Sequence, residues 1–158
     1  MTPWLWWVDR AAGNLRDDPL YVNPSARPTL PQAEQERIRA RLVAVGTPVF
    51  VAILPGQALG EAGGDANQLA ALVAASVGRP GTYLVVAGGE EGAGSNTLAP
   101  GQAANLATVA FRRHPELATA TMDFISRVED AAGTPPATTQ PAQPPPGQQD
   151  ADGNTVLV

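Results

Sequence analysis

Four acidic residues occupy glycine-rich segments that each follow a continuous apolar run. Glu61 and Asp65 come before a predicted helix, and Glu90 and Glu91 lie within residues 88–99. Open parallel sheets bind ligands beyond the carboxyl ends of their strands, where several carboxylates can bind a hard cation such as Ca²⁺. We therefore treat these four carboxylates as candidate ligands of a divalent cation. The alternative is that they are solvated loop acids, with Asp65 as the N-cap of a helix.

Three further motifs are incomplete. The glycines of residues 89–94 have the spacing G-x-x-G-x-G instead of the G-x-G-x-x-G of a dinucleotide site, and two neighbouring acids would repel a phosphate. His114 could act as a catalytic base only beside a nucleophile, and the sequence contains no G-x-S-x-G nucleophile motif. Residues 150–154 look like the start of a Ca²⁺ loop but lack its bidentate Glu. We predict no catalytic residue, and no cofactor other than a divalent cation.

All three tryptophans of the chain lie within four residues of one another. They are Trp4, Trp6 and Trp7. Surface aromatic residues at this density indicate a protein interface or proximity to a membrane. We treat them as candidate partner-binding residues. The alternative is that one or two of them pack onto the domain.

The composition is that of a single globular domain with an unusual tail. Residues 1–133 form the predicted domain, and the chain is 44% hydrophobic. Residues 134–158 contain six of the sixteen prolines, and we predict a disordered, Pro/Gln-rich linker or tail.

Charge and cysteine content exclude several classes of function. The net charge is −5, there is no lysine, and the arginines form no basic stripe, so nucleic acid is not an expected partner. The chain has no cysteine, which excludes disulfides, thiolate metal sites and cysteine nucleophiles. No apolar run approaches the length of a membrane span.

The apolar pattern predicts an α/β fold. Apolar runs predict buried strands at residues 48–54 and 82–87, and a short strand near residues 20–22. The order β-α-β-α-β predicts a three-layer sandwich with a short, mainly parallel sheet flanked by helices and connected by right-handed crossovers. Residues 88–99 are predicted to be a flexible loop with at most one weak edge strand.

Capping signals predict where the helices begin. Thr29 and Gln32 form a capping-box pattern at the start of a helix over residues 31–45. Asp65 is the predicted N-cap of the next helix. Pro100 opens an alanine-rich helix with a small-residue packing face, and a further helix follows it.

Residues 15–90 resemble the TPM domain in the order of their elements and in one short motif. The motif is Leu15-Arg-Asp-Asp-Pro-Leu-Tyr-Val22, which is similar to the Leu-Arg-x-Asp-Pro-Val-Tyr-Val that begins the ectodomains of actinobacterial-type envelope proteins. The resemblance implies an α/β sandwich outside the cytoplasmic membrane, often tethered by a transmembrane segment. Family members are linked to assembly or repair of membrane complexes, and some plant members have been assigned phosphatase activity and Ca²⁺ binding. The chain departs from the family after Ala87, where residues 88–96 replace a charged hairpin strand, so no catalytic residue is transferred.

Three functions remain open at this point. The first is a non-catalytic, extracytoplasmic or membrane-associated interaction and assembly module of the cell envelope. Its partner would be a membrane-complex or envelope protein, and a membrane tether would lie outside this chain. The second is a TPM-type metal-dependent phosphohydrolase that uses the four loop carboxylates. The third is a structural subunit of a larger complex that packs through the alanine-rich helix. A cytoplasmic location is the alternative to the envelope.

Overall fold

The computed structural model describes residues 5–133, which form a four-stranded sheet flanked by helices. Trp4 and the predicted tail of residues 134–158 lie outside the described residues. The strands are β1 (Leu20–Val22), β2 (Val49–Leu54), β3 (Thr82–Ala87) and β4 (Glu90–Ser95), the helices are α1 (Trp6–Leu15), α2 (Gln32–Ala44), α3 (Ala66–Val77), α4 (Gln102–Arg113) and α5 (Leu117–Gly133), and a 3-10 helix covers Gly56–Ala62.

The sheet confirms the predicted α/β fold. Its strand order is β1-β2-β3-β4, in which the first three strands are parallel and β4 is antiparallel to β3. Val51 in β2 lies between Leu20 in β1 and Leu84 in β3. Every residue of β2 and β3 is buried. These strands were predictable from continuous apolar runs because both faces of the sheet are covered.

Each face of the sheet has its own hydrophobic cluster. One cluster joins the face that includes Val51 and Ile53 to α2, α4 and α5. The other joins the face that includes Ala52 and Leu54 to α1 and α3. The three layers are therefore α2, α4 and α5, then the sheet, then α1 and α3.

The prediction that both crossovers are right-handed is wrong. The chain steps from β1 to β2 to β3 in one direction across the sheet, whereas α2 and α3 lie on opposite faces. Two crossovers that step in the same direction on opposite faces have opposite hands, so one of them is left-handed. The right-handed preference arises where a twisted strand leads directly into its helix. Here both helices follow long links, residues 23–31 before α2 and residues 55–65 before α3, so either helix can reach either face.

The prediction of a flexible loop at residues 88–99 is wrong for half of the segment, because β4 occupies residues 90–95 as the edge strand that the prediction allowed. Gly88 and Gly89 have φ angles of 60° and 85°, and they form the two-residue turn that a tight hairpin requires. Glycine is unfavourable in strands, so the glycine-rich sequence of β4 does not predict one. Pairing with β3 and packing against α3 and α4 provide the stabilisation that its own side chains lack.

Thr29 does not cap α2, contrary to the capping-box prediction. The N-cap position is Pro31, whose side chain supplies no capping hydrogen bond. Pro31 has an extended conformation, with φ of −59° and ψ of 153°. Because the ψ angle of Pro31 is not helical, α2 begins only at Gln32.

An ion pair links α2 to α5 at the surface. Nη2 of Arg41 donates a hydrogen bond to Oε1 of Glu129 over 2.6 Å. This hydrogen bond is the main reason why the pKa of Glu129 lies below its usual value. Both side chains remain partly exposed, so solvent screens the pair and its contribution to stability is small. The buried Ile38 and Leu42 hold α2 in place instead.

Candidate functional site

Glu61 caps α1 from a distant part of the chain. Its Oε2 accepts a hydrogen bond from the backbone N–H of Trp7 over 2.8 Å, and its Oε1 accepts one from the N–H of Val8 over 3.0 Å. The first N–H groups of a helix have no partner within the helix, and a carboxylate there also interacts favourably with the helix dipole. Glu61 therefore fixes the start of α1.

Asp65 is the N-cap of α3, as the capping interpretation predicts. Its Oδ1 accepts hydrogen bonds from the backbone N–H groups of Asn67, over 2.9 Å, and Gln68, over 3.3 Å. Asp65 has the extended backbone conformation that an N-cap residue adopts. The carboxylate thus has a structural role at the start of the helix.

Asp65→Ala removes this cap, and we expect the free energy of unfolding to fall by about 1 kcal/mol. Asp65→Asn is the matched control, because asparagine caps a helix about as well as aspartate but carries no charge. Urea denaturation of both variants, with and without Ca²⁺, measures the effect. Equal stability of Asp65→Ala and the wild type would contradict the capping role. A stabilisation by Ca²⁺ that is lost in Asp65→Asn would instead support the metal site.

Glu90 and Glu91 begin β4 and lie opposite Ala87 and Val86 of β3. Glu90 is exposed and Glu91 is half-buried. Within residues 5–133, no three His, Cys, Asp or Glu side chains form a group that could hold a metal ion. The assignment of the four carboxylates to one metal site stays a prediction.

An aromatic cluster of Trp6, Trp7 and Arg10 lies at the start of α1. The two indole rings are perpendicular, with their centroids 4.5 Å apart. The guanidinium of Arg10 lies over the Trp6 ring, 4.4 Å from its centroid, in a cation–π contact. Trp6 is 39% exposed, whereas Trp7 packs partly against the cluster between α1 and α3. The structure thus brings together two of the three predicted partner-binding residues.

The motif of residues 15–22 has structural roles. Arg16 donates a hydrogen bond to the backbone carbonyl of Ser76 and so joins α1 to α3. Asp18 forms an ion pair with Nε of Arg39 over 3.0 Å, which ties the entry into β1 to α2. The motif residues therefore stabilise the contact of α1 with α3 and the contact of β1 with α2.

A groove of about 700 Å³ lies beside β4, the last strand of the sheet. We call it the β4 groove. Residues 93–95 of β4 line it, together with the exposed side of α3 and the start of α4. The helix positions that line it are mainly small, such as Ala71, Ala75 and Ala104, so a bound chain could approach the strand closely.

Two contacts bring α3 against β4 at one end of the β4 groove. Gly92 faces the first turn of α3 so closely that a Cβ at this position would lie 2.1 Å from the carbonyl carbon of Ala66. Oδ1 of Asn67 accepts a hydrogen bond from the N–H of Ala93 over 3.0 Å, as a further strand would otherwise do. Neither Asn67 nor the groove could be predicted from local sequence patterns, because both depend on β4, whose glycines are not typical of a strand.

Comparison with known protein families, with curated proteins and with solved structures finds no match to this chain. The likeness to TPM domains therefore stays a prediction from the motif and the element order. Among the helices of residues 5–133, none is both long enough and apolar enough to cross a membrane.

Proposed function

We propose that this domain is a non-catalytic interaction and assembly module that binds a protein partner through the aromatic cluster. The exposed Trp6, with Arg10 stacked on it, is the observation that carries the proposal. Tryptophan and arginine are enriched among the residues that dominate binding energy in protein interfaces. Trp6, the exposed ring of the cluster, is the first residue of α1.

The frame of the aromatic cluster is rigid, which favours binding. Glu61 holds the N–H groups of Trp7 and Val8, so the first turn of α1 is fixed to the 3-10 helix. Val8 and Leu15 are buried against α3 and the sheet. A preordered surface loses less conformational entropy on association than a mobile one does.

A protein partner fits the charge of the chain better than a lipid surface. The net charge is −5, and bacterial and organellar membranes that carry anionic lipids would repel it. Within the aromatic cluster the only positive group is Arg10, which already lies on the Trp6 ring.

The location that we propose is the cell envelope. Support comes from the similarity of residues 15–22 to the motif of envelope ectodomains and from the proline-rich composition of residues 134–158, which suits a linker. A partner in the envelope would be a membrane-complex or envelope protein.

Site-specific photocrosslinking in the source cells tests the proposal. A benzoylphenylalanine in place of Trp6 is expected to give a discrete crosslinked species in the envelope fraction. The same residue in place of Val43, which is 74% exposed on α2, is the control and should give none. Equal crosslinking from both positions, or none from Trp6, would contradict the interface. Crosslinking confined to the cytoplasmic fraction would contradict the location alone.

Intrinsic fluorescence separates a protein partner from a lipid surface. All three tryptophans lie at residues 4–7, so the emission reports on this part of the chain alone. We expect no blue shift with vesicles of phosphatidylcholine and phosphatidylglycerol. A blue shift that Trp6→Ala abolishes would replace the protein partner by a membrane surface.

A further inference from the structure

We propose that the β4 groove binds an acidic segment of the chain's own tail, residues 149–154. This proposal does not depend on the aromatic cluster. It rests on the charge at the groove, on the size of the side chains that line it, and on the length of chain between α5 and the segment.

The charge of the β4 groove selects an acidic occupant. Arg79 is the only charged residue that lines the groove. Its side chain is exposed and forms no ion pair with any other residue of the described range 5–133. Asp150 and Asp152 are the only charged residues after residue 133. Either carboxylate of the tail could form an ion pair with Arg79. This local attraction would hold the segment at the groove even though the domain as a whole is acidic.

The small residues that line the β4 groove leave room for the backbone of an extended chain. Ala71 and Ala75 of α3 line the β4 groove, together with residues 93–95 of β4. The residues beside the two acids of the tail, Ala151 and Gly153, are equally small. An extended chain with such side chains can reach the backbone of β4, as in recognition by strand addition.

A second copy of the domain is a poorer occupant than a single extended chain. Gly92 and Ala93 are buried even though β4 is the last strand of the sheet. Asn67 already occupies the N–H of Ala93 from α3. The edge is therefore recessed between helices, and the β4 strand of another copy, flanked by its own helices, would not reach it.

The length of the intervening chain permits binding within one molecule. Residues 134–148 separate α5 from the segment, and in a polyproline conformation they would span roughly 45 Å. A domain of this size has a radius of gyration of roughly 14 Å. The intervening chain is therefore about three times as long as this radius, so the segment can reach a large part of the surface of its own domain, and the linkage raises its effective concentration there.

Paramagnetic relaxation enhancement in the full chain tests the proposal. The chain has no cysteine, so Gln148→Cys provides a unique site for a nitroxide label. We expect the amide signals of Ala75, Gly94 and Asn96 to lose most of their intensity, while signals from α2 and α5 remain.

Arg79→Gln should lower the ratio of docked to free tail about threefold, the effect of one exposed ion pair. Asp150→Asn combined with Asp152→Asn should do the same. Arg113→Gln, which removes an exposed arginine at the end of α4, is the control and should change nothing.

Three outcomes would overturn the proposal. The first is a loss of intensity spread evenly over the domain. The second is a localised loss that neither Arg79→Gln nor the double aspartate variant reduces. The third is a loss at the β4 groove of isotope-enriched chains that carry no label, when they are mixed with labelled chains of natural isotopic abundance, because the occupant would then be the tail of a second copy.

Discussion

Gly92→Ala is expected to lower the free energy of unfolding by more than about 3 kcal/mol, the upper end of what overpacking usually costs. The added Cβ would lie 2.1 Å from the carbonyl carbon of Ala66, 2.2 Å from its oxygen and 2.4 Å from the nitrogen of Asn67. All three are backbone atoms of the first turn of α3. They cannot rotate aside as a flexible side chain would, so α3 must separate from β4.

Gly94→Ala is the matched control for this prediction. Gly94 lies two residues further along β4 on the same side of the strand, and a Cβ there would be 3.8 Å from the nitrogen of Ala71, which is an ordinary contact. We expect the stability of this variant to stay within about 1 kcal/mol of the wild type. Chemical denaturation followed by circular dichroism measures both variants. Similar midpoints for the two would mean that α3 does not lie against Gly92.

The contrast between β4 and the other strands explains how far the sequence predicts the fold. β2 and β3 are continuous apolar runs, and a strand covered on both faces needs such a run. In β4 only Gly92 and Ala93 are buried, and Gly92 lies so close to the backbone of α3 that glycine is required where a larger residue would be expected. Strand propensity depends on the local sequence and does not reflect how closely a helix packs. The sequence of β4 is therefore typical of a loop.

The candidate site shows the same division between local and distant contacts. The capping role of Asp65 was predictable because its hydrogen bonds reach only residues 67 and 68. The role of Glu61 was not, because it accepts from residues more than fifty positions earlier in the chain. The aromatic cluster could be placed from the clustering of tryptophans. The contact of Arg10 with Trp6 required the helix to be present, since a spacing of four residues brings side chains together only there.

Tyr83→Ala is expected to lower the free energy of unfolding by about 3–5 kcal/mol, the usual cost of truncating a buried aromatic residue. Tyr83 is fully buried in β3, and its ring is stacked on Phe50 of β2 with centroids 4.7 Å apart. Its hydroxyl donates a hydrogen bond to the carbonyl of Arg79 over 2.7 Å. The loss would therefore also loosen the turn that presents Arg79 to the β4 groove.

Tyr83→Phe separates the hydroxyl from the ring. The ring packing remains, and we expect a loss of about 1 kcal/mol at neutral pH, because the carbonyl of Arg79 loses a partner. Burial is the main cause that raises the pKa of Tyr83 above the value of a free tyrosine, while the bond to Arg79 opposes the rise.

The raised pKa of Tyr83 makes the stability of the wild type depend on alkaline pH. The unfolded chain releases the tyrosine proton near pH 10, whereas the folded chain still holds it there. The stabilisation is therefore complete below about pH 10 and is lost as the pH rises through the pKa of the folded state. Tyr83→Phe cannot lose this proton, so its free energy of unfolding should fall less steeply than that of the wild type above about pH 10. Parallel curves for the two proteins would mean that the hydroxyl of Tyr83 reaches solvent, and that the turn beside the β4 groove is not held by a buried hydrogen bond.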